Sequence, residues 1–580
     1  MPAASPPASR RLSWIEGSVL FFAVCAAFLL VNHQAYSNFF HDDTLDNMYW
    51  TSLVPLDSFR DGLLTWRYQP SNFRPVGYYY FRVMRRVAGF NFPAWVAAVH
   101  LLHLATVGLL WLIVRRMGAR PAAAAAGVLF FAVHMAAFLC YWRPMYVFDV
   151  LCALFTLLCF YTYMRGNLAL SLVSFWLAYK SKEMAVAIPA ILLAYEWLLG
   201  GRRWLRVLPF AAISASLLAQ VYLHNRTRDD DYTLRFTAEA LWTSATYYAR
   251  YIGQVAYAGL ALLLLPLAVR DRRVVFGLWA ALCLLAPMLL LPGRLSEAYL
   301  YLPLAGVGLA VTFVLENRPR WAVAAFAVLW LAGNVYLLKR KAPYELMVAG
   351  HNREYLRQVF DMARSHPYLR AVTFRNIPPD MAENGVAAIF RMALSNPKAK
   401  VVWAQSQEAP ATVKLDDFAA TEWDHGLRKL LYVARKQGQQ YESFLKIGAM
   451  PPPWQLDRGW HAPYGEGVAW SSPESRATLR LPDSLREFCV QVSAQREDLP
   501  PGGTLWISAS IGGIGQPAKS VTVAGNREAV WPIDAGMLKR LRANARDGKV
   551  GVELKFSPPF PLPLDKTLEA GAGVTALGFR

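Results

Sequence analysis

WIEGSVLFFAVCAAFLLV, residues 14–31, carries a single charge, Glu16, and follows the basic run SRRLS at 9–13. A helix crosses a bilayer core with about 20 apolar residues, so this stretch is a candidate span. A cleaved signal sequence shares the basic start and apolar centre. No small-residue cleavage site follows, however, and many further apolar runs do. The segment is expected to be an anchored first helix with its N-terminus in the cytoplasm.

Similar runs lie at 94–114, 122–140, 147–163, 168–179, 185–199, 207–223, 252–269, 274–291, 299–315 and 321–338, which makes about eleven spans. Of the 580 residues, 55% are hydrophobic and only 17% charged, an apolar mix for a soluble protein. The net charge of +20 raises the question of nucleic acid. The Lys and Arg residues cluster beside the apolar runs instead of forming one tract, as topology-setting charges do. The expected partner is therefore the lipid bilayer, not nucleic acid. Cys25, Cys140, Cys152, Cys159 and Cys283 lie in apolar runs and Cys489 stands alone, so no disulfide framework or zinc spacing is present.

Charge orients the spans. RRMGAR (115–120), MRGN (164–167), GGRRWLR (200–206), RDRR (270–273) and ENRPR (316–320) are basic and belong inside. HDDTLD (41–46), YKSKE (179–183), NRTRDDD (225–231) and GRLSEAY (293–299) have mixed charge and belong outside. One basic run, KRK at 339–341, falls on the outside against the rule. The expected organisation is a cytoplasmic tail (1–13), a membrane domain (14–340) with outside loops 33–93 and 224–250, a soluble mixed α/β segment (341–452) and a β-sandwich (453–580). In the first loop, FRPVGYYYFRVMRRVAGF (73–90) suits an amphipathic interface helix. Strand patterns in the tail are RATLRLPD, FCVQVSAQ, TLWISASIGG, KSVTVAG and KVGVELKF. Trp454, Trp460 and Trp470 could stack on sugars or fill the sandwich core.

The pair Asp42–Asp43 in NFFHDDTLDNMYW (38–50) begins about ten residues after the first span. It reads as a helix cap or interfacial pair, or as a reactive pair at the outer membrane surface. A scaffold of many spans exceeds what anchoring a sandwich needs, which favours chemistry. Lys180, Lys182 and Glu183 stand where a helix meets the outer surface, either snorkelling or facing a cavity as a pair. Arg74, and Arg294 with Glu297, Tyr299 and Tyr301, fit an interfacial belt or a site equally. His100 and His103, one turn apart, suit inter-helix hydrogen bonds better than a metal. Asp149 lies within an apolar run and needs a partner, with Arg143 near in sequence. There is no glycine-rich phosphate cradle, nucleophile elbow or metal cluster.

The order HDD (41–43), FRPVGYYYF (73–81), HLLHL (100–104), YWRPMYVFD (141–149), SKEMAVAIPAILLAYEWLL (181–199) and SEAYLYLP (296–303) resembles the integral-membrane glycosyltransferases of the GT-C fold. The likeness spans roughly residues 10–340 and is greatest to the protein O-mannosyltransferase and aminoarabinose-transferase branches and their bacterial relatives. It implies transfer of a sugar from a polyprenyl-phosphate donor to a glycan, lipid or protein acceptor on the outer face. Family members carry an acidic pair in the first outside loop, where Asp42 and Asp43 stand. This chain has Asp-Asp where those branches show Asp-Glu, which leaves the sugar open.

An inverting transfer needs a carboxylate to take the acceptor's proton and cations to hold the departing phosphate. On the resemblance, Asp42 is the expected base and Asp43 the positioning partner. Lys182, Arg294 and Arg74 would hold the phosphate, with Glu183, Glu297 and Tyr301 in support. A monophosphate leaving group requires no metal, so neither metal nor cofactor is expected. Richness in Ala, Arg and Pro suggests a bacterial inner membrane, with the site and the C-terminal domain in the periplasm. Two other classes stand beside this one: a transporter or flippase of lipid-linked sugars, or a non-catalytic membrane-anchored carbohydrate-binding protein. The first would favour pseudo-repeated halves, and the sequence has none.

Overall fold

The computed structural model describes residues 8–67, 73–225, 231, 233–254, 258–403, 417–435, 440–447, 455–460, 469–493, 503–522, 527–562 and 565–580. The chain forms two compact units, Met1–Asn352 and Arg353–Arg580.

The first unit is helical. Trp14–Val31, Phe92–Arg116, Pro144–Met164, Arg272–Leu289, Glu297–Leu315 and Arg320–Ser365 are long and apolar enough to cross a membrane. Pro121–Ala132 and Met135–Trp142, bent by 41°, make a seventh if taken together. Trp14, Phe22, Leu30, Leu101, Trp321 and Leu329 each expose about two thirds or more of their surface. In water such a belt would be an aggregation surface; against lipid it is at home. The unit is a multi-pass helical membrane domain.

The expected eleven spans are not reached among the described residues. The run 185–199 is broken into a 3-10 turn, Glu183–Ala187, and a helix, Ile188–Leu198. That helix is 11 residues long, about 16 Å at 1.5 Å per residue, against a bilayer core of roughly 30 Å. Leu168–Ser181 and Leu208–Leu223 are apolar but also short. The run 252–269 forms a 3-10 helix, Ala258–Leu264, and a single turn, Leu265–Ala268. Gln254, in the left-handed region at φ 56°, stops the helix before it.

The first outside loop is largely helical: Thr44–Leu53, Leu56–Leu64 and the amphipathic Pro75–Ala88. Pro75 opens the last of these and Gly89, at φ 56°, closes it. The second holds the helix Ala238–Gly253, while 226–230 of NRTRDDD lie outside the described residues. Helices Arg272–Leu289 and Tyr301–Leu315 meet backbone to backbone. A Cβ at Gly306 would come within 2.7 Å of the Ala281 nitrogen and 2.8 Å of the Gly277 oxygen. Small residues permit that approach where lipid offers helices no hydrophobic reason to associate.

The second unit contains two sheets of more than two strands. One has four strands in the order Lys400–Trp403, Ala371–Arg375, Phe418–Asp424, Lys429–Arg435. Its first three strands are parallel and the last antiparallel. The helix Glu383–Ala393 packs on it through Phe390 and Phe374. The second sheet contains all the expected strands, Ala469–Arg480, Glu487–Val492, Thr504–Ile511, Lys519–Thr522 and Lys549–Ser557, together with Ala572–Phe579. Its ten strands form one continuous sheet where two stacked sheets were expected. It curls so that Leu479, Val490, Ile507, Val552 and Leu577 share one core. Trp460 and Trp470 are 6% and 4% exposed, which takes both out of sugar stacking. Trp454 lies outside the described residues.

Candidate functional site

The segment leaving the first span is held by short polar side chains that satisfy local backbone groups. Asn32 donates to the Phe28 carbonyl at 3.0 Å and accepts from Trp142 Nε1 at 2.9 Å. Asn38 donates to the Trp142 carbonyl at 3.2 Å. From the far end of the unit, Asn352 donates to the Phe40 carbonyl at 2.9 Å. His41 Nε2 lies 2.8 Å from Asn38 Oδ1 and its Nδ1 is buried without a partner. Burial, with the Arg143 charge, holds this imidazole well below the usual range and therefore neutral.

Asp42 follows at φ 49°, a left-handed conformation that Asp tolerates better than most residues. Its Oδ2 accepts from Arg143 Nη1 at 3.1 Å. Arg143 is buried and also grips Glu345 by a two-pronged pair, Nε to Oε2 at 2.9 Å and Nη2 to Oε1 at 2.7 Å. The planar guanidinium fork thus bridges two carboxylates, one buried and one third exposed. Glu345 and Asn352 lie two turns apart on one helix face, so one element steadies both ends of Phe40–Asp42.

Asp43 precedes the helix Thr44–Leu53, but its side chain caps no backbone N–H. Burial raises its proton affinity and the nearby Arg294 lowers it; the net shift is upward. Tyr78, on the interface helix, lies within electrostatic reach of Asp43, Arg74 and Glu183, so these groups adjoin.

Arg74 makes a second two-pronged pair with Glu183, Nε to Oε1 at 3.0 Å and Nη2 to Oε2 at 2.9 Å. Burial pushes the Glu183 carboxyl up, Arg74 pulls it down, and the balance falls below the ordinary value. Lys182 Nζ lies 2.5 Å from Asp149 Oδ1 and 4.4 Å from the centre of the Tyr299 ring. The partner that Asp149 needs is therefore Lys182, not Arg143. Of the three expected phosphate cations, Lys182 and Arg74 carry carboxylates. Arg294 is exposed and acts electrostatically on Asp43.

The remaining residues are placed elsewhere. Glu297 pairs with Lys341 at 2.5 Å. Tyr301 is buried and shares a 2.7 Å hydrogen bond with His103 Nδ1, while His103 Nε2 bonds the Ala132 carbonyl. His100 bonds the Tyr141 carbonyl and the Tyr36 hydroxyl. Both histidines thus tie helices together, and no three metal-ligating side chains converge among the described residues. Sequence reasoning missed Glu345 and the bridging role of Arg143. The available signal was an acidic residue, in KRKAPYELM, directly after an apolar span.

No protein-family model and no curated protein matches the sequence. Among solved structures, the chain is similar to ArnT from Cupriavidus metallidurans bound to undecaprenyl phosphate, at 14% identity and a TM-score of 0.43 over 73% of this chain and 98% of that one. It is similar to the arabinofuranosyltransferase AftD from Mycobacteria, at 12% identity and 0.43, over all of this chain and 58% of the other. For the arabinosyltransferase EmbB from Mycobacterium smegmatis the values are 14%, 0.30, 100% and 65%.

Proposed function

We propose that the protein is a membrane glycosyltransferase that moves a sugar, with inversion, from a polyprenyl-phosphate donor to an acceptor on the periplasmic face of an inner membrane. The observation that carries this is the acidic pair at the edge of the spans: Asp42 held by a buried Arg143–Glu345 pair, and Asp43 half-buried beside Arg294. The acceptor hydroxyl attacks the anomeric carbon and its proton passes to an aspartate. The sugar–phosphate C–O bond breaks, its electron pair leaving with the polyprenyl phosphate.

Reading Asp43 as the base, in place of Asp42, is supported by its raised proton affinity, since a base works best with a pKa nearer the working pH. Asp42, tied to the Arg143 guanidinium at 3.1 Å, is a fixed point for the acceptor or for Asp43. Arg294, Lys182 and Arg74 are the cations for the departing phosphate. No step needs a metal.

Mass spectrometry of cell-envelope glycans and lipid-linked sugars, with and without the gene, tests the reading. It expects one sugar modification to vanish and its polyprenyl-phosphate donor to accumulate. Unchanged profiles would sink it.

A further inference from the structure

The basic run KRK at 339–341 is the cluster that defies the charge rule, and the site above does not use it. It lies within the helix Arg320–Ser365, 46 residues long. About 20 residues cross a bilayer core, so the run falls near where this helix leaves the membrane. There Arg340 and Lys341 face Arg250 of the helix Ala238–Gly253 across a cavity of about 380 Å³ that Tyr251, Gln254 and Met135 also line. At roughly 30 Å³ per water that is space for about a dozen waters, well beyond one small ion.

Two of the lining residues are held in place from behind. Asn334 is fully buried, and its Oδ1 accepts from the Met135 nitrogen at 2.9 Å and from Gln254 Nε2 at 2.7 Å. The charge is unbalanced. Among the described residues that line it, three are cations and none is acidic, and Glu297 beyond the lining pairs with Lys341 alone of the three at 2.5 Å. Two guanidinium forks beside an ammonium match the oxygens of a phosphate.

We infer that this cavity is a phosphate-binding site at headgroup level, taking a phosphate group borne by a membrane lipid or free in solution. The run KRK is then a binding wall, which removes its conflict with the orientation rule. The inference stands on the cavity itself and does not need the sugar-transfer reading.

The test uses the full chain in micelles of a maltoside detergent, which carries no phosphate. Phosphatidylglycerol, added in increments, and inorganic phosphate are titrated separately, with binding read by tryptophan fluorescence. At least one probe should bind saturably to the wild type, and the tighter one identifies the source. Arg250→Gln and Arg340→Gln should each weaken it about tenfold or more, the loss of one charge-assisted hydrogen bond. Both side chains are exposed, so melting should hold. Lys341→Gln is the less clean variant because it also breaks the Glu297 pair. No saturable binding by either probe, or equal affinity in the wild type and both arginine variants, would overturn the inference. The readout is binding, so a failure of sugar transfer leaves the result intact.

Discussion

At the scale of single residues, the adjacent aspartates are unlike each other. Asp43 has its carboxyl pushed above the ordinary range by burial. A carboxyl that binds its proton more tightly folded than unfolded adds stability at low pH, and that contribution is lost as pH rises through its folded pKa. At neutral pH Asp43→Asn should therefore melt no lower than wild type, and any gain should vanish once pH falls below the ordinary aspartate range. A lower melting temperature at pH 7 would mean that Asp43 is structural. Arg143 behaves oppositely. Arg143→Ala leaves Glu345 buried without its partner, which typically costs about 3–5 kcal/mol. The double variant Arg143→Met, Glu345→Gln should recover much of that in a chemical-denaturation or thermal series; equal losses in single and double variants would refute the pairing. HDD could be read as a candidate site from the sequence because two carboxylates beside a span are unusual. The partners of Asp42 could not, since Arg143 and Glu345 are 101 and 303 residues away.

Among elements, hydropathy located the long spans because lipid demands uniform apolarity over a fixed length. Its count of about eleven is not confirmed where apolar runs are interrupted. At 185–199 the preceding Lys182–Glu183 turn holds ion pairs that an unbroken helix would not present in this geometry. It did not show that the helix continues beyond the last span. Pro343 ordinarily breaks a helix, yet here the helix runs through it to Ser365 and so brings Glu345 and Asn352 to the first loop. In the soluble region, alternation identified five strands of the large sheet and missed Glu528–Pro532 and the helix Ala535–Asn544, whose sequence AGMLKRLRAN offers few apolar residues. The close helix pair supplies an element-scale prediction. Gly306→Val should force the helices Arg272–Leu289 and Tyr301–Leu315 apart and cost roughly 1–3 kcal/mol, as overpacking does. A variant of unchanged melting temperature would show that the contact is looser than 2.7 Å.

For the whole molecule, the central questions are orientation and reaction. The proposed orientation puts the acidic pair and the C-terminal domain on the periplasmic side, as expected from the basic loops. Alkaline phosphatase fused after Arg580 should be active, and an inactive fusion with an active cytoplasmic reporter would reverse the assignment. The most direct measurement is release of polyprenyl phosphate by the purified protein in lipid, supplied with a polyprenyl-phosphate sugar and envelope acceptor, for wild type, Asp42→Asn and Asp43→Asn. The account expects turnover by wild type with an inverted anomeric linkage, a loss of about 10²- to 10⁴-fold in Asp43→Asn as for a missing general base, and a smaller loss in Asp42→Asn. Near wild-type turnover by a well-folded Asp43→Asn would contradict it.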